Sequence, residues 1–212
     1  MRMSILVEKL WMENKEFVTN KELKEYCKAL KLNYSSVIHY LLKRKYLVRI
    51  FKGIFYVKSL EEFKLGRSKY NHLQLVARGL ELKGVKNWYF GLHTALKLNN
   101  MTHEHFVIEE VISDSLYRSK PITIAGYKFK FVKLAPSLLD FGIKKENTIL
   151  RHSDPEKTIL DFIYLYRHDG VPADRIILDV SSWSDNISKD KLKKYSKHYP
   201  KTVSEIANRV IR

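Results

Sequence analysis

Ser35, Ser36, His39, Tyr40 and Lys43 lie within one short stretch, and together they offer hydroxyls, an imidazole, a phenol and an ammonium. Their spacing is that of one helix face. Small hydroxyls and a histidine near a helix start suit base edges in the major groove of DNA. Ser35, Ser36 and His39 are therefore expected to face bases. Tyr40 and Lys43, with Arg49 and Lys52 further on, are expected to meet phosphates, which position a protein without specifying sequence.

Other residues invite different chemistry and fail simple tests of spacing. His103-Glu104-His105, with Glu109 and Glu110 nearby, suggests metal ligands. A strand over 106–112 would send Glu109 and Glu110 to opposite faces, and no third ligand is evident. Arg151-His152-Ser153-Asp154 sets a histidine beside a serine and an acid, but adjacency in sequence is not the geometry of a nucleophile and its base. There is no glycine-rich phosphate loop and no Cys-x-x-Cys pair. Trp88-Tyr89-Phe90 suits a core better than a base-stacking platform. No catalytic residue, cofactor or metal site is expected, and the chain does not read as an enzyme.

The elements around the first group of residues support the DNA reading. Thr19 and Glu22 form a capping box, in which each side chain satisfies a backbone N–H at a helix start. Leu23, Tyr26, Cys27 and Leu30 then recur at helical spacing. Lys31-Leu32-Asn33 breaks the run, and Asn33 caps a second helix whose buried stripe is Val37, Ile38, Leu41 and Leu42. Leu47, Val48, Ile50 and Phe51, then Ile54 to Val57, read as two strands around Lys52-Gly53, where glycine supplies the positive φ of a tight turn. A helix over about 3–14, with Leu6, Leu10 and Trp11 on one face, closes the core. Residues 17–57 thus predict a winged helix-turn-helix.

Charge points the same way. The chain has a formal net charge of +16, which favours a polyanionic partner. Residues 1–58 carry 13 Lys/Arg against 5 Asp/Glu, and residues 188–212 carry 8 against 2, while the middle is nearly neutral. Lysine- and glutamate-rich proteins with a single glutamine are also typical of hot environments, but that does not account for the segregation. The single cysteine, Cys27, falls on a buried stripe, so no internal disulfide can form and a reducing compartment is expected. No apolar run approaches a membrane span, and Glu8 and Lys9 interrupt the first one, so a cytoplasmic protein is expected.

Beyond the first domain, 1–58, the sequence predicts a connector over 59–69 and an α+β domain over 70–212. The second domain should hold helices near 73–84 and 92–99, a hairpin in which Tyr127, Phe129 and Phe131 alternate with Lys128 and Lys130, and a strand over 148–152. Ser153-Asp154-Pro155-Glu156 opens a helix, with Pro at its first position and Glu156 completing a capping box with Ser153. That helix is apolar nearly all round and should be buried. Two or three further helices are expected near 172–180, 188–198 and 202–211, the last opened by Lys201-Thr202-Val203-Ser204-Glu205. The fold class is α+β: a winged helix, then a mixed domain with an antiparallel hairpin and a helical C-terminal part.

Three segments in this order bring a family into view: the Lys-Gly-Ile-Phe-Tyr run of the wing, Gly91-Leu92-His93-Thr94-Ala95-Leu96-Lys97-Leu98, and Asp154-Pro155-Glu156-Lys157-Thr158-Ile159-Leu160-Asp161. Together they resemble the AbiEi-type antitoxins of type IV toxin–antitoxin systems over roughly residues 5–167, with Lys157 where the family more often has Arg. The resemblance implies a DNA-binding repressor of its own operon whose second domain counteracts a nucleotidyltransferase-type toxin. It carries over no catalytic residue, and it leaves Glu156 and Asp161 as a cap and a helix-packing or partner-facing group. The alternative is a plasmid- or virus-type DNA-binding transcription factor whose second domain makes a homodimer and has no toxin partner.

Overall fold

The computed structural model describes residues 4–146, 149–185 and 187–211. The described residues form an α+β protein of ten α-helices, a three-stranded sheet and a six-stranded sheet. The chain divides into two compact units, one running through Gly84 with 124–126 added, the other formed by the remainder. No helix among the described residues is long and apolar enough to cross a membrane.

The first unit runs α1 (Ser4–Met12), β1 (Phe17–Thr19), α2 (Asn20–Ala29), α3 (Tyr34–Lys43), β2 (Leu47–Phe51), β3 (Ile54–Val57), α4 (Leu60–Leu65) and α5 (His72–Leu82). Both caps read from sequence form. Thr19 and Glu22 make the reciprocal capping box of α2, and the Asn33 side chain accepts the Ser36 N–H at the start of α3. β1 was not foreseen; it pairs antiparallel with β3, giving the strand order β1-β3-β2. Leu6, Leu10, Val18, Leu23, Cys27, Val37, Leu41, Leu47 and Phe55 close one core against the helices.

The expected boundary over 59–69 needs correction, because α4 and α5 belong to the first unit. All four residues of β3 are buried, so the hairpin is apolar on both faces and both need cover. α5 packs on the second face. A methyl at Gly79 of α5 would lie 2.6 Å from Ile50, so glycine lets the helix approach the strand closely.

The second unit runs β4 (Trp88–Phe90), α6 (Leu92–Leu98), β5 (Ile108–Ser113), β6 (Ile122–Ile124), β7 (Tyr127–Lys133), β8 (Ile143–Glu146), β9 (Leu150–Ser153), α7 (Pro155–His168), α8 (Ala173–Ser181), α9 (Lys189–Ser196) and α10 (Lys201–Val210). Its sheet has the order β6-β7-β5-β4-β9-β8. It is mixed: β5 runs parallel to β7 and β4 parallel to β9, while β4–β5 and β8–β9 are antiparallel. The strand expected over 148–152 is Leu150–Ser153, and Thr148 lies outside the described residues.

α7 is the central helix of this unit, and every residue from Glu156 to Ile163 is buried. Lys157 and Asp161 lie one turn apart on it, each 0% exposed, with Nζ 3.1 Å from Oδ1. Tyr89 donates a 2.8 Å hydrogen bond to one Asp161 oxygen and Tyr199 a 2.7 Å bond to the other, while Lys157 donates to the Tyr199 oxygen at 3.0 Å. The ammonium also sits 4.6 Å from the Phe141 ring centroid and 5.0 Å from that of Tyr89, an arrangement favoured by the negative ring faces. Burial and the Asp161 charge push both phenols well above their usual range, so they stay protonated donors.

One local expectation is corrected in this unit. The N-cap of α7 is Asp154, which accepts the Lys157 N–H at 2.9 Å, and not Ser153. Pro155 at the first helical position forces the residue before it into extended backbone, and Ser153 is still in β9, with its hydroxyl paired to Thr158. Glu156 therefore forms no capping box; it accepts the Ser188 N–H and pairs with Lys191 of α9 at 3.1 Å. Glu109 and Glu110, adjacent in β5, each reach the first turn of α6. Thr94 donates to Glu109, while Glu110 accepts from the His93 backbone N–H and meets its ring. Thr94 also accepts the Glu110 N–H at 2.7 Å.

His152 on β9 is 1% exposed, and neither ring nitrogen has a hydrogen-bond partner among the described residues. Its nearest charge is Glu146, 3.8 Å from Nε2. Burial lowers its pKa more than Glu146 and Asp154 raise it, and Lys144 adds to the lowering.

Two predictions follow from this core. Asp161→Asn leaves a buried ammonium without its counter-charge and should cost about 3–5 kcal/mol. In a thermal melt that is a fall of about 6–20 °C, and Lys157→Met combined with Asp161→Asn should melt above Asp161→Asn alone. His152, neutral in the fold, gives stability that is fully present above about pH 6.5 and is lost as pH falls from there toward its lower folded value. Unfolding midpoints taken from pH about 7 down to about 5 should therefore fall less steeply in His152→Leu than in the wild type.

Candidate nucleic-acid interface

The seven residues singled out for DNA contact come together on the first unit. Ser35, Ser36, His39, Tyr40 and Lys43 line one open depression along α3. Ser35 and His39 also border a second depression, shared with Arg49, Lys52 and Gly53 of the β2–β3 hairpin. The two surfaces meet at Ser35 and His39, and neither is lined by a carboxylate. All seven side chains are exposed except that of Tyr40, which is half-buried with its ring 6.3 Å from that of Tyr46.

The local sequence explains this placement. The buried stripe of α3, Val37, Ile38 and Leu41, turns the opposite stripe outward. Arg49 stands opposite Phe55 across the hairpin, with its guanidinium carbon 5.6 Å from that ring's centroid. The aromatic face fixes the cation on the side of the hairpin that borders α3. Lys52 and Gly53 form the turn, and Gly53 adopts φ +82°.

Ser36 is less free than its spacing suggests. Its hydroxyl donates to Asn33 Oδ1 at 3.1 Å, the same oxygen that caps the helix. It can still accept a hydrogen bond but has its own proton engaged. Ser35 and His39 therefore carry more of the free hydrogen-bonding capacity of this face.

Sequence reasoning missed Asn20 and Tyr34. Asn20 opens α2, and its backbone N–H donates to the Gly53 carbonyl at 2.8 Å. Its side chain accepts a hydrogen bond from the Tyr34 hydroxyl at the start of α3. One asparagine thus ties the hairpin turn, α2 and α3 together, and so sets where Lys52 stands relative to His39. No spacing pattern announces this link, because its three partners are far apart in the chain.

No protein-family model matches the chain, and no curated protein matches it. Among solved structures it is similar to the crystal structure of the RV2827C protein from Mycobacterium tuberculosis, with a TM-score of 0.62 and 14% identity. The likeness covers 99% of this chain and 76% of that one. At that identity it bears on the fold alone.

The residues weighed for other chemistry lie in the second unit. His103, Glu104 and His105 are exposed in the segment before β5. Among the described residues no group of three His, Cys, Asp or Glu is placed to hold a metal ion. His152, Ser153 and Asp154 turn to separate surroundings, with the serine on Thr158 and the acid capping α7.

Gly53→Ala tests how the turn is held. Its φ is strained for any residue with a Cβ, and that atom would meet Asn20 Nδ2 at 3.0 Å. The variant should lose about 1–2 kcal/mol, read as a lowered midpoint in denaturant with an unchanged slope.

Proposed function

We propose that the chain is a sequence-specific DNA-binding transcriptional regulator. In this reading the first unit is a winged helix-turn-helix: α3 enters the major groove and the β2–β3 hairpin is the wing. The observation that carries it is the continuous, carboxylate-free surface joining Ser35, His39 and Lys43 of α3 to Arg49 and Lys52 of the hairpin. The diameter of an α-helix fits the width of a major groove, and cations on a hairpin beside it suit the flanking phosphates. Ser35 and His39 take the base edges, Ser36 accepts there, and Tyr40, Lys43, Arg49 and Lys52 hold the backbone.

The resemblance to AbiEi-type antitoxins extends the proposal to an autorepressor whose second unit counteracts a nucleotidyltransferase-type toxin. The motif residues of that unit support a shared core more than a shared contact surface, since Lys157 and Asp161 are wholly buried and Glu156 is turned to α9. The toxin-facing surface then lies elsewhere on the unit. Co-expression with the products of neighbouring genes tests this part: relief of toxicity with co-purification supports it, and neither result removes it.

The DNA reading is tested by titration of duplex across a salt series. Each phosphate contact contributes a slope of about 0.9 in log affinity against log salt. Lys43→Ala and Lys52→Ala should each weaken binding to all sequences and lower the slope by about that amount, whereas His39→Ala should reduce preference among sequences. Wild-type affinity and slope in the double lysine variant would remove this face from the reading.

A further inference from the structure

The second unit carries a separate cationic surface that the α3 reading leaves unused. α9 is fixed on its inner side by three residues: Leu192 is buried in the core, Tyr195 donates to Asp154 at 3.2 Å, and Lys191 pairs with Asp154 at 2.8 Å and with Glu156 at 3.1 Å. Burial alone would lower the Lys191 pKa, but hydrogen bonds and charge from those two acids raise it above the ordinary lysine value. Lys191 is therefore an internal tether.

The outer side differs. Lys189, Lys193 and Lys197 follow one another at four-residue intervals, which sets them about 6 Å apart in a row along the helix. Lys194 flanks the row, and Lys201 opens α10 just beyond it. All five are exposed, and none has an ion-pair partner among the described residues. Asp190 is the acid on this side of α9.

Helix stability explains only part of the row. Cations favour a helix C-terminus, which suits Lys193, Lys194 and Lys197 in the last turn and C-cap of α9, but Lys189 is the first residue of α9 and Lys201 the first of α10, where the dipole opposes them. Five neighbouring like charges repel one another and are best relieved by a polyanion. The chemistry also distinguishes among polyanions. Protein interfaces are built on aromatic and apolar anchors and are poor in lysine, and no large hydrophobic residue between 188 and 211 is strongly exposed. Unanchored ammonium groups in a row suit a line of phosphates, which needs point charges and no fixed geometry.

We propose that the outer face of α9, with Lys201, is a second, sequence-independent contact to the phosphate backbone of duplex DNA. It goes beyond the α3 reading in placing a DNA contact on the second unit, and it rests on that reading only in that the chain binds duplex.

The test uses the full chain and a duplex of random sequence titrated across a salt series. The triple variant Lys189→Gln, Lys193→Gln, Lys197→Gln should lower the slope by roughly 2–3 units and leave preference among sequences unchanged. Replacing the same three residues by arginine should keep the wild-type slope, and both variants should melt with the wild type because the positions are exposed. An unchanged slope in the glutamine variant overturns the proposal, and so does displacement of the duplex by polyglutamate at equal charge, which would indicate an acidic polypeptide as the ligand. The parallel variant Lys43→Gln, Lys52→Gln separates the two readings. A slope that falls only there leaves α3 and removes α9, whereas a slope that falls only in the α9 variant does the reverse. Absence of duplex binding by the wild type removes both.

Discussion

A lysine and an aspartate sealed away from water on α7 impose the strictest demand on the second unit. Taking two charges out of solvent costs several kcal/mol per ion unless partners replace the lost water. Here the replacements come from Tyr89 on β4, Phe141 before β8 and Tyr199 between α9 and α10. These segments are distant in sequence, so strand, loop and C-terminal helices must all be in place before the pair is tolerable. The close approach of the 141–142 segment depends on Gly142, at φ +65°, where a Cβ would lie 2.8 Å from Lys157 Cβ. A hydrophobic pair in the same positions would tolerate many packings of α7; an ion pair with aimed hydroxyls tolerates few.

The first unit solves a different problem with a similar economy. Its hairpin must be rigid enough to hold cations beside α3, yet it projects from a small sheet. The far face of the hairpin is covered by α5, and its tip is tied by Asn20 to α2 and α3. Glu62, the capping partner of Ser59, also takes the Tyr56 hydroxyl at 2.5 Å, and a further bond from the Lys69 N–H ties α4 and the segment before α5 to β3. Burial alone would raise the Glu62 pKa, but these hydrogen bonds lower it, so it stays ionised and keeps accepting them. The residues of the hairpin proposed to meet DNA, Arg49 and Lys52, are the exposed ones near its turn.

What could be read from sequence was what is local. The capping box at Thr19 and Glu22, the Asn33 cap, the turn at Gly53 and the buried periodicity of α7 all depend on residues within one or two turns of each other, and they form as read. The seven candidate contact residues share one surface because helix period and hairpin register are themselves local. What escaped depends on distant partners. β1 has only three residues and exists by pairing with β3, α5 belongs to the first unit because β3 is apolar on both faces, and Asn20 matters through Gly53 and Tyr34. The α7 cap was misread by one residue because Ser153 and Asp154 are both good caps; Pro155 decides between them through backbone sterics.

The distribution of charge links the two units more firmly than any motif does. The chain carries 39 Lys and Arg against 23 Asp and Glu, and some of its acids are turned inward. Asp154, Glu156, Asp161, Glu109 and Glu110 are buried, capping helices or taking internal hydrogen bonds. Carboxylates held inside in this way do little to screen the cations outside. On both α3 and α9 the inner stripe fixes the helix and the outer stripe carries lysine, with Asp190 the acid on that side of α9. A protein built only for thermal stability gains from interspersed ion pairs on its surface. Ion pairs of that kind occur elsewhere on both units, but Lys43 of α3 and the outer lysines of α9 have none among the described residues, as expected of a surface whose counter-charge is supplied by a bound polyanion.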